Sequence, residues 1–213
     1  MPMNAHRPAP RLYLFTPQLD DATAFARDLD TALAAADVAA VLLRLAEADE
    51  RTLVNRTKQI ATVVQRRDVA LLLDGRPELV GRAGADGAHL TGIAALTAAL
   101  PGLKPDRIAG AGGLRSRHDA MLAGESGADY VMFGEAGPGG KTPPFPAVEE
   151  RVKWWADLVE VPCVGYAGTA SEVAALAQAG ADFVALGDWL WTHAQGPAAV
   201  LTQAQAALAA KAP

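Results

Sequence analysis

The sequence predicts one (β/α)8 barrel, a TIM-barrel α/β fold with eight parallel strands, and three observations carry that prediction. Short apolar runs alternate with longer amphipathic segments along the 213 residues, giving eight strand–helix units. The strand runs are apolar throughout, as expected of a parallel sheet covered by helices. A three-residue device also recurs: Gly84-Ala85-Asp86, Gly127-Ala128-Asp129 and Gly180-Ala181-Asp182 each set a helix-stopping glycine and an acid just before a strand. They precede the fourth, sixth and eighth strands, so two β/α units separate successive copies. Eight units favour a closed barrel over an open doubly wound sheet, and no G-x-G-x-x-G follows the first strand.

Taken in order, residues 1–10 read as a flexible lead-in with Pro8 and Pro10 near its end, and residues 11–213 as the barrel domain. Arg11–Phe15 is the first strand, closed by Thr16-Pro17. Asp20 or Asp21 is a good N-cap for a helix reaching about Asp37. Val38–Leu43 is the second strand, with Arg44 at its C-terminal end. Asp49 starts an amphipathic helix through about Gln65, with Leu53, Ile60 and Val64 at helical spacing. Val69–Leu73 is the third strand and runs into Asp74-Gly75; Pro77 opens a short helix that Gly84 stops. Gly87–Leu90 is the fourth strand, and a helix follows around Ala94–Leu100.

Arg107–Gly110 is the fifth strand, leading into Ala111-Gly112-Gly113, and a helix is expected over Ser116–Glu125. Asp129–Phe133 is the sixth strand, followed by a helix over Val148–Val159 that carries Trp154 and Trp155. Cys163–Tyr166 is the seventh, with Ala167-Gly168-Thr169 as its exit loop. Ser171 caps the next helix, with Glu172 in its first turn. Phe183–Leu186 is the eighth strand, and an alanine-rich helix over Ala198–Lys211 closes the chain.

Composition narrows the partners. A net charge of −5 argues against nucleic acid or an anionic membrane as the main partner. One cysteine, Cys163, excludes an intrachain disulfide, and no Cys/His pairs have zinc spacing, so a reducing cytoplasmic location fits. The N-terminus lacks a signal-peptide pattern, and no apolar run reaches the length of a membrane span.

Ser126–Lys141 concentrates the candidate chemistry. A helix stop and a buried strand lead into a loop with four glycines and one proline between Gly134 and Gly140, ending at Lys141. Such a loop lets the backbone approach a ligand, and the lysine adds one mobile positive charge, the usual make-up of a phosphate site at the C-terminal end of a barrel strand. Glu135, just past the strand, is a candidate acid for proton transfer.

The blocks L-Y-L-F-T-P, L-L-R, L-L-L-D, G-A-D-G-A-H-L, I-A-G-x-G, G-A-D-Y-V-x-x-G…K, V-P-x-V-G-Y-A-G and Q-A-G-A-D-F-V-A-L occur in this order over residues 11–192. In them the chain resembles the thiamine phosphate synthase family, which includes a thiazole tautomerase branch. The resemblance implies a barrel that joins hydroxymethylpyrimidine diphosphate to thiazole phosphate, releasing pyrophosphate with the help of Mg2+. It places Arg44, Gly112, Gly113, Lys141, Ala167, Gly168 and Asp188 at phosphate or substrate sites and Asp74 at a metal position; Lys141 and, from its place after the sixth strand, Glu135 are the candidate catalytic residues.

The departures from the family pattern are specific. In the family's Q-L-R-x-K block only Arg44 is kept; Leu73 stands for the usual Asn before Asp74; the second metal carboxylate is missing near Ile93-Ala94. The threonines before the family's lysine fall on Gly137–Gly140. The family's Ser-x-His after strand five gives way to Gly112-Gly113-Leu114-Arg115, its Gly-Gly-Ile to Ala167-Gly168-Thr169, and a strand-eight Ser to Asp188. An inward Asp188 would repel phosphate.

Each residue also has a plainer reading. Lys141 is equally a solvated loop lysine, Asp74-Gly75 a turn, His89 a satisfied core histidine, and Cys163 a small core residue. Trp189 and Trp191 either lid the pocket or pack under the last helix. The expected partners are small phosphorylated heterocycles, with no nucleic acid and no membrane; self-association into a homo-oligomer stays open. Three readings follow: the family's synthase, a different enzyme on the same barrel of the tautomerase kind, or a non-catalytic ligand-binding relative.

Overall fold

A computed structural model describes residues 8–137 and 140–210; most of the expected lead-in and positions 138–139 of the glycine loop lie outside the described residues. The strands are β1 (Arg11–Leu19), β2 (Val38–Leu45), β3 (Ala70–Asp74), β4 (Gly87–Thr91), β5 (Ile108–Gly112), β6 (Tyr130–Phe133), β7 (Cys163–Ala167) and β8 (Phe183–Leu186). Each pairs in parallel with the next and β8 pairs with β1, so the sheet closes. The helices are α1 (Ala22–Leu33), α2 (Glu50–Gln65), the single turn α3 (Val80–Ala83), α4 (Ile93–Leu103), α5 (Arg117–Ser126), α6 (Phe145–Leu158), α7 (Glu172–Ala179), α8 (Trp189–Thr192) and α9 (Pro197–Ala209). No helix among the described residues is long and apolar enough to cross a membrane.

Two apolar layers follow from strand alternation. Inside the barrel, Tyr13, Phe15, Leu42, Leu72, Tyr130, Met132 and Val164 fill the centre. The intervening residues, such as Leu12, Leu14, Val41, Leu71 and Val131, face the helices and join one continuous outer core. Trp155 is the largest fully buried side chain, its indole N–H donating to the Val161 carbonyl at 2.7 Å.

The recurring Gly-Ala-Asp device is a clasp at the N-terminal end of the barrel. The glycines take left-handed backbone at φ 73°, 103° and 101°. Each aspartate then bonds twice to the preceding strand. The N–H of Leu71, Ala109 and Cys163 donates to the carboxylate of Asp86, Asp129 and Asp182 at 2.7, 2.7 and 2.8 Å. The backbone N–H of each aspartate donates to the carbonyl of that same residue, at 2.8 to 3.0 Å. Asp37, ahead of β2, stands in a fourth equivalent place, but its carboxylate takes the Arg11 guanidinium at 2.7 Å instead of a strand N–H.

Several boundaries differ from the sequence expectation, each for a local reason. β1 does not stop at Thr16-Pro17 but continues to Leu19; the pairing with β2 breaks register between Phe15 and Gln18, where a proline without an N–H is tolerated. Of the two N-cap candidates Asp21 caps α1, accepting from Thr23 and Ala24. α1 ends at Leu33 rather than near Asp37, because Asp37 is held by Arg11. α4 passes through Pro101 to Leu103, and the proline, lacking an N–H, leaves the Thr97 carbonyl without its helical donor near the end of the helix. α6 starts at Phe145, three residues before Val148, with a proline in its first turn. The single turn α8, between β8 and the closing helix, was not expected.

Candidate functional site

The C-terminal ends of the strands form the mouth of the barrel. Arg44 extends from the end of β2. Its backbone N–H donates to the Thr16 hydroxyl at 3.0 Å and its Nε to the Thr16 carbonyl at 2.6 Å. Its guanidinium lies 5.7 Å from the Phe15 ring centre and pairs with the Asp188 carboxylate, which arrives from beyond β8. Asp188 therefore meets a cation across the end of β1, and the repulsion expected of a lone inward carboxylate is offset.

Asp74 ends β3, two residues beyond the interior Leu72 and so on the inward side of the strand. Burial raises its pKa, and the neighbouring Arg44 and Arg76 pull it back down. Arg76 in turn pairs with Glu47 at 2.6 Å.

Between these strands and β6 lies a hydrogen-bonded stack inside the barrel. Tyr13 and Tyr130 share a hydroxyl hydrogen bond of 2.9 Å, and Tyr130 meets His89 Nδ1, also at 2.9 Å. Burial lowers the His89 pKa to about 4, so the ring is neutral at physiological pH. This is the satisfied core histidine of the plain reading. Its Nε2, however, faces the notch over Gly112: a Cβ there would sit 2.5 Å from Nε2 and would overlap the Glu135 carboxylate. The glycine leaves room for both groups to converge.

Glu135 follows β6 directly and accepts a hydrogen bond from the Gly113 N–H. Burial pushes its pKa up to about 6; the Gly113 N–H and Arg151 oppose the rise, and Asp74 adds to it. Lys141 is exposed. The loop before it is pinned by the Gly137 N–H donating to the Lys141 carbonyl at 3.0 Å. Lys141 and Glu135 share a cleft of about 360 Å³ whose walls include Gly113, Arg115, Thr142 and Arg151. The hydroxyl lost before the lysine thus has a neighbour just after it, in Thr142.

At β7 the exit loop is already engaged. The Gly168 N–H donates to the Glu172 carboxylate at 2.6 Å and the Thr169 N–H does so at 3.3 Å. Glu172 and Gly168 line a second cleft of about 330 Å³ with Tyr166, Thr142 and Gly134. Trp189 and Trp191 do not form a lid. Their indole N–H groups donate to the carbonyls of Ala167 at 2.9 Å and Phe15 at 2.7 Å, so they tie α8 to the end of β7 and to the middle of β1.

The predicted residues thus gather in two sets. Gly112, Gly113, Glu135 and Lys141 meet on the β5–β6 side, and Arg44 meets Asp188 with Asp74 close to Arg44. Ala167 and Gly168 stand apart at β7. Arg76, Arg115, Arg151 and Glu172 were not among the candidate site residues read from the sequence. Arg76, two residues past Asp74 at a strand end, carried a usable signal; Arg151, in the middle of a helix, did not.

A sequence model of the family described as thiamine monophosphate synthase matches residues 12–189. Thiamine-phosphate synthase of Rhodospirillum centenum is 44% identical over 199 residues, covering 90% of this chain and 94% of that one. The enzyme of the same name from Hyphomonas neptunium is 41% identical over 203 residues, covering 92% of each. Among solved structures, thiamine phosphate pyrophosphorylase from Pyrococcus furiosus superposes with a TM-score of 0.75 at 19% identity, covering 96% of this chain and 98% of that one, a likeness of fold alone.

Proposed function

The chain belongs to the thiamine monophosphate synthase family and is a transferase of thiamine biosynthesis, and on that premise we propose that its barrel mouth joins two phosphorylated heterocycles with expulsion of diphosphate. One observation carries the assignment to this site: a cationic, lysine-bearing cleft and the Arg44–Asp74 set open on the same face of one barrel.

The reaction asks for electrostatics more than for a nucleophile. As the bond between the pyrimidine methylene and diphosphate lengthens, negative charge collects on the departing oxygens and positive charge on the ring. Lys141 and Arg44 stabilise the first. The Glu135 carboxylate, fixed by the Gly113 N–H, stabilises the second. Neutral His89 and the tyrosine pair behind it hold the apolar wall without adding a competing charge. The thiazole nitrogen then attacks the methylene carbon, forming the new C–N bond.

Magnesium, implied by the family resemblance, has a thin donor set here. Asp74 is the carboxylate at the expected place, two arginines stand beside it, and no cluster of three or more His, Cys, Asp or Glu among the described residues could hold a metal ion. A magnesium ion held by the protein alone does not fit this set.

The test is steady-state synthesis from hydroxymethylpyrimidine diphosphate and thiazole phosphate, followed by product detection. Wild type should turn over, and Lys141→Ala and Arg44→Ala should each lose about tenfold or more in kcat/KM. A folded wild-type protein that forms no product would sink this reading.

A further inference from the structure

We propose that Arg115 and Arg151 complete, with Lys141, a diphosphate subsite on the β5–β6 side of the mouth, in which protein cations take over charge that a second metal carboxylate would otherwise help to manage through a bound ion. The inference rests on the transferase reading for the identity of the anion; the cleft itself rests on geometry.

The grouping of cations, more than their lack of partners, sets this cleft apart. Arg11, Arg44, Arg66, Arg67, Arg76, Arg82, Lys104, Arg117 and Lys153 each meet a carboxylate, while Arg27, Arg51, Arg56, Lys58 and Arg107 join no ion pair among the described residues and line no common cleft with one another. Arg115, Lys141 and Arg151 likewise join no ion pair among the described residues, although Arg151 lies near enough to Glu135 to lower its pKa, and all three line the same cleft of about 360 Å³. Three cations face a single carboxylate, Glu135, around this concavity, and the excess positive charge favours an oxyanion. The acid nearest Arg115, Asp119, is committed to the start of α5, accepting from the backbone N–H of Arg115 and Ser116 at 3.1 and 3.0 Å.

Arg151 is positioned in advance. From the second turn of α6 its guanidinium donates to the carbonyls of Leu114 and Arg115 at 3.1 and 2.9 Å, which fixes it against the β5–α5 loop. Two of its five N–H groups are used in these bonds, and the others are left for a ligand. The same contacts hold the backbone of Arg115 beside the cleft. Lys141 closes the cleft from the β6–α6 loop, with the Thr142 hydroxyl next to it. The arrangement suits a ligand with several oxygens and two or more negative charges, for which planar arginine forks and one lysine are the usual donors. Glu135, the acid on the cleft wall, restricts the space for the anion to the arginine side.

The experiment is calorimetric titration of the full chain with inorganic pyrophosphate, in EDTA and in excess Mg2+, with inorganic phosphate as the low-charge comparison. Wild type should bind pyrophosphate in EDTA and bind phosphate at least tenfold more weakly. Arg115→Ala and Lys141→Ala should each weaken pyrophosphate binding about tenfold or more, while Lys58→Ala on the outer face of α2 leaves it unchanged. Because Arg151 also pins a loop, Arg151→Gln, which keeps an amide donor for the carbonyls, serves beside Arg151→Ala, with thermal unfolding as the check on folding. Binding that requires Mg2+ and ignores both arginines would overturn the subsite while sparing the transferase reading. Binding absent in both conditions, from a protein that also fails to turn over, would remove both.

Discussion

Replacing Glu135 by glutamine tests the site through stability, without any substrate. The carboxyl titrates near 4.5 when unfolded and about 6 when folded. A carboxyl whose folded pKa lies above its unfolded value favours folding while protonated and opposes it once ionised. The penalty is absent well below pH 4.5, grows between 4.5 and 6, and is complete above 6. A gap of about 1.5 units corresponds to about 2 kcal/mol at pH 8. Glutamine mimics the protonated acid and keeps an oxygen for the Gly113 N–H, so Glu135→Gln should stabilise the protein by about 2 kcal/mol at pH 8, raising Tm by about 4–8 °C. Near pH 4.5 the advantage should shrink to about 0.4 kcal/mol. Thermal unfolding of both proteins across pH 4.5–8 measures it, with kcat/KM read in parallel and expected to fall about tenfold or more. Equal stability at pH 8, or a difference that does not change with pH, would refute the claim that this carboxylate is held at a cost.

Three further predictions concern other parts of the fold. In wild type, kcat/KM should decline as pH drops through about 6, as Glu135 takes a proton; a flat profile between pH 5 and 7 would remove its charge from the reaction. Gly112→Ala forces a methyl into the notch shared by Glu135 and His89; it should cost about 1–3 kcal/mol in denaturant unfolding and most of the activity, and a variant with wild-type kinetics would contradict the placement of either side chain. Asp86→Ala leaves the Leu71 N–H without its carboxylate at the end of the barrel away from the mouth, so Tm should fall by the equivalent of about 1–3 kcal/mol while KM holds; a changed KM would mean that the two ends are coupled.

The fold was legible because its signals are local. Apolar runs such as Val38–Leu43 and glycine stops such as Gly127 announce themselves within a few residues, and eight repetitions leave little choice of architecture. Strand ends were read less well. Pro17 looked like a terminator, but a shift of register in the β1–β2 pairing absorbs it. The site was legible in position and not in charge balance. Arg44, Asp74 and Glu135 stand at strand ends or just beyond them and Lys141 in the loop that follows β6, where sequence order gives the location. That Asp188 would meet Arg44, and that Arg151 would reach back from α6 to the β5–α5 loop, depends on side chains 144 and 36 or 37 positions from their partners, and no local pattern encodes such distances.

The clasps divide the barrel as a mason would divide an arch. Asp86, Asp129 and Asp182 each fasten an even strand to the odd strand before it, and Asp37 does so for the first pair through Arg11. A break in the chain between α4 and β5 would sever none of these fastenings and would leave two halves of four strands each. Arg44 and Asp74 would fall in one half; Glu135, Lys141 and Arg151 in the other. Neither half alone could present both sets of charges, so catalysis in such a split protein becomes a reporter of reassembly.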